Sequence, residues 1–224
     1  MKFKTKSDFP SPDWAAALFH DIHNLAHDAE VAIIAQSLIE RAMQVRLRKE
    51  LIPDMNSELD NRLFKGRGPF DGFSACADVC YALGLFDNDI YKDLRSINFC
   101  RNALSHRVEK EITFEDEFLS SIFTNLRITF TNFRDVLSRN LGAPVPDPNS
   151  RLWDVVFTDS SGKYVISMFK LFRRHSEREP IAESETTPRD KFILSAGVIL
   201  AVLLMQSVSQ SDFDRALPFL DKSV

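Results

Sequence analysis

Glycine, tyrosine, tryptophan and cysteine are all scarce in this chain of 224 residues, which contains 7 Gly, 3 Tyr, 2 Trp and 3 Cys. So few glycines argue against a turn-dense β-sandwich or β-barrel. Three cysteines cannot form a dense disulfide framework, and their odd number leaves at least one thiol without a partner in the chain. Cys76 and Cys80 lie four residues apart, which favours two buried thiols on one helix face over a metal or redox pair.

A surplus of basic residues is also missing. The chain has 28 Lys and Arg against 32 Asp and Glu, so its formal net charge is -4. A protein held to nucleic acid mainly by phosphate contacts normally carries a strong basic surplus. The composition therefore excludes a histone-like or polybasic binder but leaves open a localised basic site.

Long membrane-spanning runs are absent from the sequence as well. The most apolar stretch, Phe192 to Met205, is followed closely by polar residues, and a bilayer span needs roughly 20 apolar residues. We therefore predict a buried core helix there and no membrane association. Residues 1–12 contain Lys2, Lys4 and Lys6 but no apolar segment, so we expect no secretory signal and a cytoplasmic location.

Phenylalanine, in contrast, is abundant, with 19 residues. Its ring supplies core and interface area without any polar group to satisfy. Hydrophobic residues make up 44% of the chain and charged residues 27%, the balance of an ordinary globular protein.

The apolar residues of the first half recur with helical spacing. The pattern runs from Trp14 to Leu51, where Pro53 ends it, as one long helix or as two helices with a break near residues 27–28. A loop is predicted over 61–72, and a short helix over 73–83 that Gly84 ends.

Two further helices follow in the predicted order. Asp87 begins the first of them, and Thr113 with Asp116 resembles a capping box at the start of another that runs to about Asn140. Residues 141–150 are rich in proline, Tyr164 to Phe172 is ambiguous between strand and helix, and 175–188 is a polar surface loop. A last helix follows Pro188.

These patterns predict an all-α fold, a compact helical bundle of about six to seven helices in a single domain over residues 1–224. Within it we expect an N-terminal arm over 1–12 and core helices over 13–140. We expect an irregular insertion over 141–187 and a C-terminal core helix over 188–210.

Three histidines are spaced so that one helix could present them together. His20, His23 and His27 would lie within reach of one metal ion. They fall on the side opposite the apolar stripe, so a solvated or dimer-facing surface is the better interpretation and a metal site is only a weak candidate. We expect no cofactor.

The loop Lys65 to Phe70 has a glycine pair beside two cations, which could cradle a phosphate. No strand is predicted before it, and it lacks the Lys-Ser/Thr ending of a Walker loop. A connecting turn is the simpler interpretation. In the same way, the basic cluster of Arg41, Arg46, Arg48 and Lys49 is more typical of a solvated helix face, balanced by nearby glutamates, than of a nucleic-acid surface.

The residues Arg101 to His106 (RNALSH) suit metal-independent cleavage of RNA. A neutral His106 could take the proton from a ribose 2′-hydroxyl, Arg101 could hold the phosphate, and Asn102 could orient either group. Arg and His near a helix C-terminus also stabilise the helix dipole, which is the structural alternative.

Several stretches in the same order resemble the mannitol operon repressor family of bacterial regulators. They are Ala29 to Leu47 (AEVAIIAQSLIERAMQVRL), Leu63-Phe64, Gly66 to Phe73 (GRGPFDGF), Ser74-Ala75, Tyr81 to Leu85 (YALGL), Arg101 to His106, and Pro188 to Phe192 with the apolar helix after it. The likeness covers most of residues 28–140 and 188–205, and residues 141–187 have no counterpart in it.

The resemblance implies an all-helical fold, a homodimer and a role in transcriptional regulation. No helix-turn-helix is visible, so regulation through a protein partner is expected rather than direct DNA contact. The resemblance also brings in the wider HEPN superfamily, whose Arg-x(4–6)-His endoribonucleases act at a dimer cleft. It would make Arg101 the phosphate-binding cation, Asn102 its polar neighbour and His106 the general acid or base.

Two functions therefore stay open. The first is a regulatory or interaction protein, and the alternative is a HEPN-type endoribonuclease of a toxin or defence system, with RNA as its nucleic-acid partner. Whether the chain is an enzyme is not decided by its residues.

Overall fold

A computed structural model describes residues 22, 25–51, 55–106, 112–129, 131–142, 154–159, 162–167 and 186–205. The predicted N-terminal arm and the region after Met205 lie outside the described residues. Within them the chain forms seven helices and one hairpin: α1 (Asp28–Leu51), α2 (Ser57–Phe64), α3 (Phe73–Ala82), α4 (Asn88–His106), α5 (Glu117–Phe123), α6 (Phe133–Leu141), β1 (Asp154–Asp159), β2 (Gly162–Ser167) and α7 (Pro188–Met205).

The prediction of an all-α bundle of six to seven helices is confirmed. Its centre is α7, in which residues 192–203 are all buried. This helix packs against α1, α4, α5 and α6, so the apolar run is a core helix, as predicted. Among the helices that the structure describes, none is both long and apolar enough to cross a membrane.

Local capping explains where α7 begins. The Thr187 hydroxyl donates to Asp190 Oδ2 at 2.8 Å, and the Asp190 amide donates back to the Thr187 hydroxyl at 3.1 Å. Pro188 occupies the first helical position, where no amide hydrogen is needed. This reciprocal capping box fixes the start of the helix at the residue that the sequence indicated.

The break predicted near residues 27–28 is present, whereas the helix predicted before it lies outside the described residues except for residue 22. Residues 25–27 are not helical and α1 begins at Asp28. Its carboxylate accepts the amide of Phe114 at 2.7 Å and forms an ion pair with Arg189 at 3.0 Å. The start of α1 is thereby tied to the start of α7.

The predicted loop over 61–72 begins too early. Residues 61–64 complete α2, whose first turn is capped by the Asn56 side chain accepting the Leu59 amide at 2.9 Å. The true loop spans residues 65–72. By contrast, α3 and Gly84, with a φ of +70°, follow the prediction closely.

The single helix predicted from about Thr113 to Asn140 is wrong, because the chain breaks between α5 and α6. At the break, the buried carboxylate of Asp93 accepts the amides of Arg127 and Ile128 at 2.7 and 3.0 Å. Asn132 accepts the Thr129 amide at 2.9 Å and donates to the Arg127 carbonyl at 2.7 Å. These bonds satisfy backbone groups that a continuous helix would otherwise have satisfied itself.

The capping box predicted at Thr113 and Asp116 does not begin a helix, because the residues that it spans form a turn. Asp116 Oδ2 accepts the Thr113 amide at 2.7 Å, while α5 begins only at Glu117.

Part of the predicted irregular insertion forms a hairpin. Strands β1 and β2 pair antiparallel with Asp159 opposite Gly162 and Val156 opposite Val165. Of the stretch predicted as strand or helix, residues 164–167 are strand and the remainder lies outside the described residues. The single-domain organisation stays a prediction.

Candidate functional site

The C-terminal half of α4 holds the residues singled out for chemistry. Arg101 is half-buried, and its Nη1 donates to the side-chain oxygen of Asn102 at 3.0 Å. Its Nε atom is buried and has no hydrogen-bond partner in the part of the chain that the structure describes. The structure therefore joins Arg101 and Asn102 by a hydrogen bond, and one guanidinium donor has no acceptor among the described residues.

Carboxylates from two other elements lie near this guanidinium. The pKa of Glu40 on α1 is raised, first by burial and then by the charge of Asp71, while Arg101 opposes the rise. Both charges are therefore within electrostatic range of the Glu40 carboxyl group. Arg101 therefore belongs to a mixed-charge cluster and is not an isolated cation.

A chain of polar side chains connects the helices beside this cluster. Gln36 on α1 donates to Asn98 on α4 at 3.2 Å, and Asn98 donates to Ser74 on α3 at 3.1 Å. Because Asn98 lies three residues before Arg101, both are on one side of α4. The arrangement forms a polar surface across α1, α3 and α4 that could hold an anionic or hydrogen-bonding ligand.

His106 is the last residue of α4, and its side chain is not among those described. Five residues of an α-helix turn through about 500°, so the backbone positions of Arg101 and His106 are about 140° apart around the axis. One copy of α4 therefore does not place the two positions on a single face. The roles of Arg101, Asn102 and His106 in catalysis stay predictions.

The histidine cluster is only partly visible. His27 is exposed just before α1, whereas His20 and His23 lie outside the described residues. No group of three His, Cys, Asp or Glu residues within the described ranges is arranged to hold a metal ion. The weak metal candidate is thus untested.

The three cysteines are free and buried, which confirms the prediction of buried thiols for Cys76 and Cys80. Burial raises the pKa of each thiol to about 12. The Cys76 thiol also donates to the Phe70 carbonyl at 3.3 Å. Because the thiolate is the reactive form, these groups are chemically quiet at neutral pH.

Ion pairs dominate the predicted basic face of α1. Arg46 contacts Glu50 at 2.6 Å, and Arg48 contacts Asp60 of α2 at 2.6 Å. The Arg48 guanidinium also lies 3.9 Å from the centre of the Phe64 ring. These contacts agree with the interpretation of a charge-balanced helix face.

Two further features were not anticipated from the sequence. Asp93 is a fully buried carboxylate, and the Ser195 hydroxyl donates to it at 2.8 Å in addition to the two backbone amides. Its position three residues after Ile90 and four before Ile97, on the apolar face of α4, was the available signal. The second feature is a pair of exposed aromatic rings, Phe99 and Phe118, whose centres are 5.6 Å apart.

A surface pocket of about 540 Å³ lies where α1 and α7 begin and α4 ends. Arg189 in its wall donates to Asp28 and to the Leu25 carbonyl, at 3.0 and 2.6 Å. The arginine of this pocket is therefore already engaged in holding the starts of α1 and α7 together.

Comparison with known proteins gives one solved structure. No protein-family model matches the chain, and no curated protein matches it. A chain of the X-ray structure of the MtlR-HPr complex from Escherichia coli is similar in fold, with a TM-score of 0.52 and 16% sequence identity. The likeness is one of fold. It extends over 85% of this chain and 98% of the other, so it includes nearly the whole of that molecule.

Proposed function

We propose that this chain is a cytoplasmic regulatory protein that forms a homodimer and controls transcription through protein partners. The observation that carries the proposal is the exposed ring pair of Phe99 on α4 and Phe118 on α5. Phe99 is 46% exposed and Phe118 is 51% exposed, although they contact each other. Exposed aromatic clusters are typical of protein–protein contact surfaces, whose cores are enriched in aromatic residues.

The two rings are accompanied in the chain by exposed charges of opposite sign. Lys92 and Arg95 are exposed seven and four residues before Phe99, on the same face of α4. Exposed Glu115 and Glu117 lie three residues and one residue before Phe118. A two-fold axis through the ring pair would bring the cations of one copy opposite the glutamates of the other, which favours a second copy as the occupant.

The fold neighbour supports the regulatory part of the proposal. It is a structure of a complex with HPr, so we propose HPr or a protein like it as the first partner to test. The acidic net charge of the chain further favours regulation through a protein over direct binding to DNA.

Phe118→Glu is expected to convert a dimer into a monomer, because it places a charge in the centre of an apolar contact. The wild-type chain should have twice the monomer mass in sedimentation equilibrium, and the variant should have the monomer mass with a melting temperature within about 2 °C of wild type.

The matched control is Leu83→Glu. Leu83 is 48% exposed at the C-terminal end of α3 and lies outside the helices of the ring pair, so its replacement should leave the dimer intact. A monomeric wild type, or equal effects of the two variants, would contradict the proposed surface.

Binding of HPr tests the partner separately. Titration calorimetry with purified Escherichia coli HPr is expected to show a dissociation constant in the micromolar range, typical of transient regulatory contacts. If HPr fails to bind while the chain is dimeric, the proposal of HPr as a partner is rejected and the proposal of a homodimer is kept.

A HEPN-type endoribonuclease is the second candidate, and one observation favours it. The buried Nε atom of Arg101 has no acceptor in the described part of the chain, while Asn102 holds the opposite side of the same guanidinium. A phosphate oxygen would complete that donor set. This mechanism needs Arg101 of one copy to approach His106 of the other, and that contact would differ from the one at Phe99, because Phe99 and Arg101 lie on opposite sides of α4.

For this second candidate, His106→Ala is expected to lower the rate of cleavage of total RNA at least a hundredfold, since general acid–base catalysis contributes about that factor or more. The reaction is run in excess chelator, because the mechanism uses no metal. Dimer formation measured on the same preparation is the control for correct folding. Absence of cleavage by the wild-type dimer would reject the nuclease candidate.

A further inference from the structure

Three exposed cations lie within six residues where α2 passes into the following loop. They are Arg62 on α2 and Lys65 and Arg67 in the loop, and we refer to them as the cationic tip. Among the described residues, none of their side chains takes part in a hydrogen bond or an ion pair. This contrasts with Arg46 and Arg48 on neighbouring α1, whose side chains both contact carboxylates.

Arg67 is held in an unfavourable backbone conformation. Its φ of +73° lies in the left-handed region, and it is the only described residue other than glycine with a positive φ. A side chain with a Cβ atom is disfavoured there, whereas glycine is not. Glycines occupy both neighbouring positions, so an arginine between them is retained at a cost in stability.

The amides at the tip of the loop donate hydrogen bonds to acceptors within the same segment of the chain. The Arg67 amide donates to Asp71 Oδ2 at 3.0 Å, the Gly68 amide to the Lys65 carbonyl at 3.1 Å, and the Phe70 amide to the Leu63 carbonyl at 2.8 Å. Amides engaged in this way do not converge on an external phosphate. The prediction of an ordinary connecting turn rather than a phosphate cradle is therefore the better one.

Close packing beneath the tip fixes its position on the protein. A Cβ atom at Gly68 would lie 2.4 Å from the Arg62 carbonyl oxygen, so only glycine fits there. The Phe70 ring packs on Phe64 at 5.3 Å between ring centres, and Gln44 on α1 donates to the Phe70 carbonyl at 3.3 Å. The cations are thus presented on a firmly anchored turn.

We propose that the cationic tip of Arg62, Lys65 and Arg67 is a docking point for an acidic surface of a protein partner. An arginine at this position is explained if its side chain contacts a partner, since glycine would adopt the same backbone conformation without strain. Asp60 and Asp71 beside the tip confine the positive charge to a few residues. A confined charge fits an acidic patch on a protein better than a long nucleic-acid backbone, which needs an extended run of cations.

This inference rests on the proposed interaction role, but its test is independent of dimer formation. The probe is a short fluorescent polyglutamate peptide, whose binding is measured by anisotropy at low and at physiological salt. Removing one of three neighbouring cations is expected to weaken peptide binding about fivefold at low salt, since one charge contact in water is worth about that factor. The difference should shrink at physiological salt because of screening.

Three variants at position 67 separate the side chain from the backbone. Arg67→Gly should weaken binding about fivefold while the melting temperature stays the same or rises by up to about 3 °C, because the backbone strain is removed. Arg67→Ala should lose the same affinity without that rise, and Arg67→Lys should bind within about twofold of wild type. Arg134→Ala, which removes an exposed cation of α6, is the charge-matched control and should leave binding within about twofold.

Several results would overturn the proposal. The first is that the wild type does not bind the peptide at low salt. The second is that Arg134→Ala and Arg67→Gly lose equal affinity for the peptide. The third is that inorganic phosphate at low millimolar concentration displaces the peptide. Tighter, Arg67-dependent binding of a single-stranded RNA oligonucleotide would also overturn it, since the partner would then be a nucleic acid. A chain that binds the peptide but sediments as a monomer would keep the cationic tip and reject only the proposed homodimer.

Discussion

Asp93→Ala is expected to lower the free energy of unfolding by about 2–4 kcal/mol at neutral pH, measured by urea denaturation. The substitution leaves the buried amides of Arg127 and Ile128 and the Ser195 hydroxyl without an acceptor. Each buried donor that loses its partner costs about 1–3 kcal/mol. The removal of a buried charge offsets part of the loss, which is why the expected total is below the sum for three donors.

The pH dependence of this loss has a defined sign. Burial raises the pKa of Asp93 from its usual value of 3.8 to about 6, against the effect of its three hydrogen-bond donors, and the charge of Asp89 adds to the rise. An acid whose pKa is raised on folding contributes most stability below its unfolded pKa, and that contribution is lost as the pH rises through about 6. The full change is about 3 kcal/mol for a shift of this size. The stability gap between wild type and Asp93→Ala should therefore widen as the pH falls from neutral to about 4.

Asp93→Asn is the control, because it keeps the shape of the side chain and does not titrate. Its one oxygen can accept one of the two amides, so its loss should be smaller than that of the alanine variant. The gap between wild type and this variant should also widen towards low pH. A gap that narrows at low pH would mean that the pKa of Asp93 is lowered on folding and that the carboxylate is stabilised as an anion.

The same residue shows why the helix pattern failed between residues 113 and 140. Apolar spacing continues across the break, so local sequence gives no reason to stop the helix. The reason lies 34 and 35 positions earlier in the chain, where Asp93 binds the amides of Arg127 and Ile128. Contacts between residues so far apart in the chain cannot be inferred from periodicity.

Two predictions from local signals succeeded, although the similar Thr113–Asp116 pair precedes a turn and not a helix. Thr187, Pro188 and Asp190 form a capping box within four residues, and α7 begins at Pro188 as expected. Gly84 likewise has the positive φ typical of a residue that follows a helix. Such features depend on the backbone conformation of a few neighbouring residues, which the sequence specifies directly.

The candidate site was predictable only in part for a similar reason. Arg101 and Asn102 are adjacent in the chain, and their contact follows from that. Glu40 and Asp71, which share the electrostatic environment of Arg101, come from α1 and the loop after α2. The exposure of Phe99 and Phe118 was hidden because phenylalanine in a helical pattern normally indicates a core position.

Phe192→Ala is expected to lower the free energy of unfolding by about 3–5 kcal/mol, the cost of removing a large aromatic ring from a packed core. Phe192 is fully buried on the central helix, 4.8 Å from the ring centre of Phe114 and 6.2 Å from that of Phe123. Phe114 and Phe123 are themselves 5.3 Å apart with their rings near perpendicular. The substitution therefore removes one of three mutually packed rings, which come from α7, α5 and the turn before α5.

Phe118→Ala provides the matched control for this prediction, since it removes the same ring from a position that is 51% exposed. At a protein concentration low enough for the chain to be monomeric, its loss should be below about 1 kcal/mol, because a half-exposed ring gives up little apolar burial. Both measurements use urea denaturation with the slope compared between variants, so that a changed unfolded state is recognised. Similar losses for the two substitutions would mean that α7 does not form the centre of the core. A large loss for Phe192→Ala alone would show that the ring at position 192 stabilises the core and that the exposed ring at position 118 contributes little to stability.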